Sequence, residues 1–236
     1  MNNFKLLKWD SEVFQFPVAR ITKPNLNIQS LKSSLKKLNN QNVRLVYWAP
    51  KSLDKKSCHL AEKLGGLFVG INRIYCCEIL SMVQLKKNTQ IQLNPVSNSY
   101  RINLIELILR RATFSRFYKD ERIRETNYVS IITRWIDDSI SNNISFIYTK
   151  SDNLIGYISL NGKNGLGNID YIIVNDKLAH RGLGSQLLEY GHSWFSDNKY
   201  SSVMAVTQKE NISACRMYEK FGYRVINEQS NYHFWI

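Results

Sequence analysis

The sequence predicts an α/β fold in which a mixed central sheet is flanked by helices, and three observations support this prediction. Residues 168–220 have the pattern of strand, glycine turn, helix, strand and helix. Residues 1–90 show a similar alternation of helix and strand patterns. A short motif at residues 62–65 returns 157 positions later. Elements that alternate in this way pack helices against the faces of a sheet.

Length and composition indicate a folded protein. The chain has 236 residues, of which 44% are hydrophobic, which is enough for one large core or two small ones. The amino terminus lacks the apolar run of a signal peptide, and no apolar stretch approaches the roughly 18 residues that a spanning helix needs. We therefore expect a soluble cytoplasmic protein with no membrane partner.

The charge is strongly basic and unevenly placed. The formal net charge is +13, and residues 1–90 hold 15 basic against 5 acidic residues. A basic chain favours anionic partners, but no helix-turn-helix, RNP-like or zinc-finger motif is present, so we do not expect nucleic-acid binding. Coenzyme A and nucleotide diphosphates are polyanions that a pocket lined by basic residues would attract.

The first ninety residues are predicted to form an α/β unit of their own. Residues 28–38 carry apolar side chains at helical spacing, and Val43–Trp48 has the pattern of a strand. Lys55–Leu64 is predicted as a helix stopped by two glycines. Leu67–Ile71 and Ile74–Leu80 are predicted as a pair of strands.

The next segment is predicted to open a second unit. Gln84–Tyr100 is polar, contains a proline and is the predicted linker. The predicted elements after it are a helix from Ile102 to Ala112, a helix from Glu125 to Asn142, and strands Ser145–Thr149 and Leu154–Leu160 joined by a turn at residues 151–153.

The region from Asn168 to Ser185 carries the first functional signal. Asn168–Val174 is β-branched and aromatic, which is typical of a buried strand. Arg181–Ser185 contains two glycines and precedes a predicted helix, so free backbone N–H groups would point at an anion there. Alone, this pattern is equally consistent with a turn whose glycines serve close packing.

The repeated motif indicates that the first unit is a partial copy of the last. Glu62–Gly65 matches Glu219–Gly222, and at the same offset Tyr75 coincides with Tyr232. We therefore divide the chain into residues 1–90, a degenerate and non-catalytic half, and residues 91–236, the catalytic domain. The first half would support the second or form a wall of its substrate pocket.

The motif after the last predicted strand of this region carries a family resemblance. Ser201–Thr207 is followed by Asn211 and by a predicted helix, Ser213–Phe221, that carries Tyr218. This order resembles the closing motif of the GCN5-related N-acetyltransferases (GNAT), and the glycine turn resembles the acyl-CoA motif of the same family. Ala179 departs from the Gln or Arg expected at the start of that motif. The resemblance implies the GNAT fold and acetyl-CoA or another acyl-CoA as co-substrate.

Three further stretches resemble one group within that family. Leu7–Phe14, Ser115–Phe117 with Asp120, and Tyr232–Trp235 look like the bacterial TDP-fucosamine acetyltransferases. This resemblance implies acylation of a 3- or 4-amino group on a dTDP-linked amino-dideoxyhexose for surface polysaccharide, such as lipopolysaccharide O-antigen. It also implies a possible homodimer. The substrate-binding residues that it implies are Trp9, Arg116, Phe117, Tyr171 and Gln208.

The GNAT resemblance also implies the roles of the site residues. Tyr218 would protonate the departing thiolate, and a backbone N–H of the strand near Val174, where the family's strand bulges, would stabilise the oxyanion. The implied cofactor-binding residues are Ile172, Val174, Arg181, Gly182, Leu183, Gly184, Ser185 and Asn211. Asp170, which strand alternation would place on the face opposite Tyr171, is the expected general base, and a water chain is an equal alternative.

Several interpretations remain open from the residues alone. A GNAT enzyme could act on a protein, polyamine or antibiotic amine, and a non-catalytic acyl-CoA or nucleic-acid binding protein would need no catalytic tyrosine. Arg116 and Asp120 also fit an ordinary helical ion pair, and Trp9 fits a core aromatic. No metal site is expected, because the four cysteines lack metal-ligand spacing. The regiochemistry of the amine and the acyl chain are not determined.

Overall fold

The computed structural model describes residues 3–79, 91–142, 144–175 and 182–236. Within these ranges, strands form one mixed sheet with helices on both faces. The strands are β1 (Phe4–Leu6), β2 (Val18–Ile21), β3 (Leu45–Trp48), β4 (Leu67–Glu78), β5 (Asn94–Pro95), β6 (Ile144–Lys150), β7 (Asn153–Lys163), β8 (Leu166–Val174), β9 (Ser202–Gln208) and β10 (Arg224–Trp235). The helices are α1 (Lys8–Phe14), α2 (Ile28–Asn39), α3 (Lys55–Lys63), α4 (Arg101–Arg111), α5 (Arg116–Lys119), α6 (Glu121–Thr126), α7 (Tyr128–Asn142), α8 (Leu183–Asp197) and α9 (Ile212–Lys220).

The described part of the sheet has ten strands in the order β1-β2-β3-β10-β4-β9-β8-β7-β6-β5. β2 is parallel to β3 and β8 is parallel to β9, whereas the other neighbours are antiparallel. The predicted mixed α/β architecture is therefore confirmed. Among the helices of the described ranges, none has the length and apolar character required to cross a membrane.

The two halves of the sheet are related by a pseudo-twofold axis between β4 and β10. Helices α3 and α9 have nine residues each and strands β4 and β10 have twelve, and each pair begins 157 positions apart. Pairing follows the same relation: Tyr75 pairs with Ala205, and Tyr232 pairs with Trp48. The duplication suggested by the sequence is thus visible in the elements themselves.

The halves exchange their last strands. β10, from the end of the chain, lies between β3 and β4 of the first half, and β4 in turn pairs with β9 of the second half. The two halves therefore share one continuous sheet. The predicted boundary near residue 90 stays a prediction, since residues 80–90 lie outside the described residues.

Two predicted loops or turns are strands in the structure. The predicted pair Leu67–Ile71 and Ile74–Leu80 is wrong, because β4 continues through Asn72, which pairs with Gln208 on one side and Gln229 on the other. With both edges occupied, the strand has no place for a turn. In the predicted linker, Asn94–Pro95 forms β5 on the sheet edge, where proline is tolerated.

The long helix predicted for Glu125–Asn142 is also wrong, because it is two helices that meet at Asn127. The hydroxyl of Thr126, the last residue of α6, donates a hydrogen bond of 2.6 Å to the backbone carbonyl of Arg122. Short polar side chains compete with the helix backbone in this way. The predicted β6–β7 turn is confirmed, with Ser151 and Asp152 both at positive φ.

The apolar side chains fall into three buried clusters that fix which helices cover which face. α2 and α3 pack on β2, β3 and β10 around Leu31 and Ala61. α8 and α9 pack over β4, β8 and β9 around Leu188 and Tyr218. α1, α4 and α7 cover the opposite face around Ile131. The cavity described below opens between the second and third of these layers.

Candidate active site

A cavity of about 960 Å³ opens where strands β8 and β9 separate. Their parallel pairing runs from Leu166 to Ile169 on β8 and from Ser202 to Ala205 on β9. Beyond this point the strands diverge, and residues of both line the cavity. The predicted site residues that line it are Trp9, Asp170, Tyr171, Ile172, Val174, Gly182, Leu183, Gly184, Ser185, Gln208, Asn211 and Tyr218.

Strand β8 carries a bulge at Asp170. Against β7, Ser159 pairs with Tyr171 and Leu160 pairs with Ile169, so Asp170 is the extra residue. The expectation of a bulge near Val174 is corrected, since Val174 pairs regularly with Gly156. The expectation that Asp170 and Tyr171 face opposite sides is corrected as well, because the bulge interrupts the alternation and both residues line the cavity.

The carboxylate of Asp170 is held by amides and partly withdrawn from water. The side-chain nitrogens of Asn161 and Asn168 each donate to one of its oxygens. Burial raises the pKa of Asp170 above its ordinary value, and the two amide donors oppose that rise. A carboxylate with a raised pKa is a stronger proton acceptor than an ordinary aspartate.

The glycine turn begins helix α8 beside the open edge of β8. Gly182 is the N-cap residue at φ +77, a conformation that favours glycine. A side chain at Gly184 would come within 3.2 Å of the sulfur of Met217 on α9. The first backbone N–H groups of this 15-residue helix border the cavity and fit a pyrophosphate. Arg181, predicted to assist here, lies outside the described residues.

Helix α9 supplies Asn211 and Tyr218. The side-chain oxygen of Asn211 accepts from the backbone N–H of Ala214 at 3.2 Å, so this residue caps the helix as well as lining the cavity. The ring of Tyr218 lies between those of Tyr75 and Tyr223, with centroids 5.4 and 5.2 Å away. Burial raises the pKa of Tyr218 well above its ordinary value. The phenol is therefore fully protonated at neutral pH.

An aromatic wall made of Trp9, Trp135 and Tyr171 bounds the cavity on the side of α7. Trp9 and Trp135 are stacked with centroids 6.2 Å apart, and Tyr171 meets Trp135 edge-on at 5.5 Å. The indole nitrogen of Trp9 donates to Asp138 across 2.5 Å. Helix α1 of the first half thereby reaches the cavity of the second.

The structure places Arg116 and Phe117 away from the cavity, contrary to their expected role in substrate binding. The guanidinium of Arg116 lies over the rings of Tyr47 and Phe117 at 4.0 and 4.2 Å, and its Nη1 is 3.4 Å from Nε2 of His233. Phe117 is a buried core residue. Asp120 does not pair with Arg116, because it accepts from His233 at 2.7 Å.

Several cavity residues were not identified from the sequence. They are Trp135, Asp138 and Ser139 on α7, Tyr157 and Ser159 on β7, and the loop after α4 at residues 112–115. Tyr157 and Ser159 alternate with apolar residues along a strand, which was the one available signal. Within the described ranges, no three His, Cys, Asp or Glu side chains cluster in a way that could hold a metal ion.

A family comparison agrees with this geometry. Residues 107–223 match the acetyltransferase (GNAT) family. The match contains the splayed strands, the glycine turn, Asn211 and Tyr218. It begins in α4 and ends just before β10.

The individual relatives and solved structures that resemble the chain share only part of its length or a low sequence identity with it. The chain is similar to streptothricin acetyltransferase A of Bacillus subtilis (35% identity over 77 residues, 32% of this chain) and to streptothricin acetyltransferase of Escherichia coli (26% over 115 residues, 42% of this chain). These matches span 44% and 66% of the two relatives. A tandem GNAT protein from the clavulanic acid biosynthesis pathway has a similar fold, with a TM-score of 0.59 and 10% identity, over 92% of this chain and 74% of that one.

Proposed function

On the premise that residues 107–223 are an acetyltransferase (GNAT) domain, we propose that the protein transfers an acyl group from coenzyme A to an amine of a small molecule. One observation carries this proposal. The separated ends of β8 and β9, the glycine-initiated helix α8 and the hydroxyl-bearing residue Tyr218 all border one cavity. Such a cavity offers an anion site, a slot for a thioester arm and an acid in one place.

The cofactor side is assigned to the residues nearest the strand gap. Gly182–Ser185 and the amino terminus of α8 bind the pyrophosphate, with Arg181 and Asn211 assisting. Ile172 and Val174 lie on the part of β8 beyond its pairing with β9, where backbone groups can bind the pantetheine arm. A backbone N–H on this segment stabilises the oxyanion of the attacked thioester.

Two side chains are assigned to proton transfer. Asp170 accepts a proton from the acceptor ammonium, since an amine attacks only in its neutral form. Tyr218, whose phenol is protonated at neutral pH, donates its proton to the departing thiolate. Burial raises the pKa of this phenol, so the transfer depends on the negative charge that develops on the sulfur beside it. Acetyl is the default acyl group, and a short hydroxyacyl group is the alternative.

For the acceptor we propose a dTDP-linked amino-dideoxyhexose bearing its amine at C3 or C4. The charged side chains that line the described part of the cavity are four cations, Arg110, Arg111, Arg216 and Lys220, and two anions, Asp138 and Asp170. This excess of positive charge supports binding of two substrates that both carry phosphates, the acyl-CoA and the dTDP-linked sugar. The aromatic wall supports stacking of a planar base or of the apolar face of a sugar.

A second acceptor class is an antibiotic amine. The specific observation that favours it is the similarity to two streptothricin acetyltransferases. Against it, a polycationic acceptor would meet the four cations of the lining, and Asp138 already accepts from Trp9 and from Arg134. We therefore rank this class second.

The deciding experiment measures thiol release from acetyl-CoA with mass spectrometry of the product. The acceptors are a dTDP-3-amino-dideoxyhexose, a dTDP-4-amino-dideoxyhexose and streptothricin, each also tested with the Tyr218→Phe variant. We expect one nucleotide sugar to be acetylated and the variant to lose that activity.

The other outcomes separate the alternatives. Turnover of streptothricin alone would replace the nucleotide-sugar assignment by the antibiotic one. Silence with every acceptor, together with tight binding of dTDP, would point to another acyl donor. Acyl-CoA binding without any turnover, unaltered in the variant, would leave a non-catalytic binding protein.

A further inference from the structure

The aromatic wall of the cavity contains one residue of the first half. Trp9 lies on α1, a helix of seven residues whose amino terminus has no side-chain cap. A helix this short is unstable alone, because few backbone hydrogen bonds offset the ordering of the chain. The place of Trp9 in the wall therefore depends on the contacts that α1 makes with the rest of the protein.

One carboxylate joins Trp9 to helix α7. Oδ2 of Asp138 accepts from the indole nitrogen of Trp9 at 2.5 Å, and Oδ1 accepts from Nε of Arg134 at 3.1 Å. Arg134 also lies 3.7 Å from a carboxylate oxygen of Glu12, three residues after Trp9 on α1. Hydrogen bonds to a charged acceptor are stronger than neutral ones. Asp138 thus uses both of its oxygens, and its charge is balanced by that of Arg134.

The hydrogen bond and one ring contact together set the orientation of the indole. An indole has a single polar donor at one edge, so a fixed acceptor determines how the ring is rotated. The ring face packs on Trp135, with 22° between the planes and 6.2 Å between the centroids. Trp135 in turn meets Tyr171, the neighbour of the proposed base Asp170. Trp9 therefore ends a row of three rings that leads to the proposed position of the acceptor amine.

We propose that Asp138 is a positioning residue for the acceptor: by holding the indole of Trp9 against Trp135, it completes the surface on which the acceptor packs. The inference rests on the proposed function, and it makes acceptor binding depend on the docking of the first half. Because Arg134 balances its charge, Asp138 acts through Trp9 and not by attracting the acceptor ammonium. The residues proposed for the cofactor include neither Asp138 nor Trp9, so acyl-CoA binding is independent of this contact.

A double-mutant cycle separates this role from a general loss of stability. Asp138→Ala is made alone and together with Trp9→Phe, which keeps an aromatic ring but has no N–H to donate. Asp137→Ala is the matched control, since Asp137 is the preceding residue of α7 and accepts from Arg101 at 2.5 and 2.9 Å, but does not line the described part of the cavity. Kinetics use whichever acceptor the deciding experiment shows to be acetylated, and thermal midpoints are measured for every variant.

We expect Asp138→Ala to raise the KM for the acceptor about tenfold, while kcat and the KM for acetyl-CoA change less than twofold. In the Trp9→Phe background, the same substitution should change the acceptor KM less than twofold, because the hydrogen bond is already absent. Asp138→Asn, which keeps an oxygen for the indole, should recover most of the loss. Asp137→Ala should leave all three constants unchanged.

Other results would overturn the proposal while leaving the proposed function intact. An acceptor KM that rises equally in both backgrounds would show that Asp138 acts on the acceptor directly. An equal rise in Asp137→Ala, or no rise in Asp138→Ala, would remove the positioning role. If Asp138→Ala does not fold, Trp9→Phe carries the comparison, and an unchanged acceptor KM in that variant refutes the proposal. Failure of every acceptor would remove the proposed function and this inference together.

Discussion

The hydroxyl of Tyr75 donates to Oε1 of Glu219 across 2.9 Å, which joins strand β4 of the first half to helix α9 of the second. The same contact occurs in reverse, because Tyr232 donates to Oε1 of Glu62 across 3.0 Å. Each tyrosine and each glutamate lies 157 positions from its counterpart. The two halves therefore exchange hydrogen bonds as well as strands.

This exchange predicts that the halves unfold together. We expect Tyr75→Phe and Tyr232→Phe each to lower the free energy of unfolding by about 1 kcal/mol, since each removes one hydrogen bond and keeps its ring. Urea unfolding followed by fluorescence and circular dichroism should show a single transition in both variants. Two separate transitions would contradict the shared sheet as the unit of cooperativity.

Removing the hydroxyl of Tyr218 should slow the acyl-transfer step without weakening the binding of the cofactor. We expect Tyr218→Phe to lower kcat by roughly a hundredfold or more, with the KM for acetyl-CoA nearly unchanged. Tyr223→Phe is the control, because its ring lies 5.2 Å from that of Tyr218 while its hydroxyl bonds to His192. Equal kcat losses in the two variants would assign the effect to packing.

The glycine turn should be tested against a second glycine with the same backbone conformation. Gly182 and Gly165 both have φ +77, and neither would bring a new side chain within 3.4 Å of a neighbour. Alanine at either position should lower stability by about 1–2 kcal/mol through the left-handed backbone. Steady-state kinetics should show a raised KM for acetyl-CoA in Gly182→Ala alone. A similar rise in Gly165→Ala would remove the argument for a phosphate cradle.

The role of Asp170 can be separated from that of a water chain. We expect Asp170→Asn to lower kcat/KM about a hundredfold at neutral pH and to abolish the acid limb of the pH profile. That limb should lie above the range of an ordinary aspartate, because burial raises the pKa of Asp170. Asp152→Asn, in the exposed β6–β7 turn, serves as control. A loss below tenfold in Asp170→Asn would favour the water chain.

Two buried histidines predict acid sensitivity of the fold. Burial lowers the pKa of His192 and of His233 to about 4, from an ordinary value of 6.5. The unfolded chain therefore binds more protons between these values, and stability falls as pH drops from about 6.5 to about 4. Each ring accounts for up to about 3 kcal/mol of that loss.

Chemical denaturation at several pH values would measure the slope of unfolding free energy against pH. His192→Gln should flatten it, whereas His59→Gln, at an exposed position of α3, should leave it unchanged. An unaltered slope in His192→Gln would show that this ring does not titrate between the two pH values. The lowered pKa of Asp120 adds a separate loss of stability at still lower pH, as the pH falls below the ordinary aspartate value of 3.8.

Local sequence patterns identified the residues that line the side of the cavity for which we propose cofactor binding. The strand, the two glycines, the capping residue Asn211 and Tyr218 lie within about fifty residues, and hydrogen bonds between near neighbours position them. Turn and cap chemistry depends on residue type at fixed offsets, so it is visible in one sequence. The duplication was visible for the same reason, since it repeats residues at a constant offset.

Contacts between distant residues decided which side chains line the side of the cavity that we propose for the acceptor. Trp9 reaches the cavity because α1 packs on α7, 129 residues from its partner Asp138. Arg116 stays off the cavity because Tyr47, Phe117 and His233 surround its guanidinium. No local sequence pattern specifies whether an aromatic or cationic side chain lines the cavity or packs away from it.

By itself, the sequence determined the α/β class, the repeated halves and the elements for which we propose acyl-CoA binding. Tertiary structure alone decided that β10 enters the first half, that β4 is one strand and that a bulge turns Asp170 and Tyr171 into the same cavity. The physical reason is register: a single extra residue in a strand reverses the faces of all that follow, and only the pairing partners specify where it occurs.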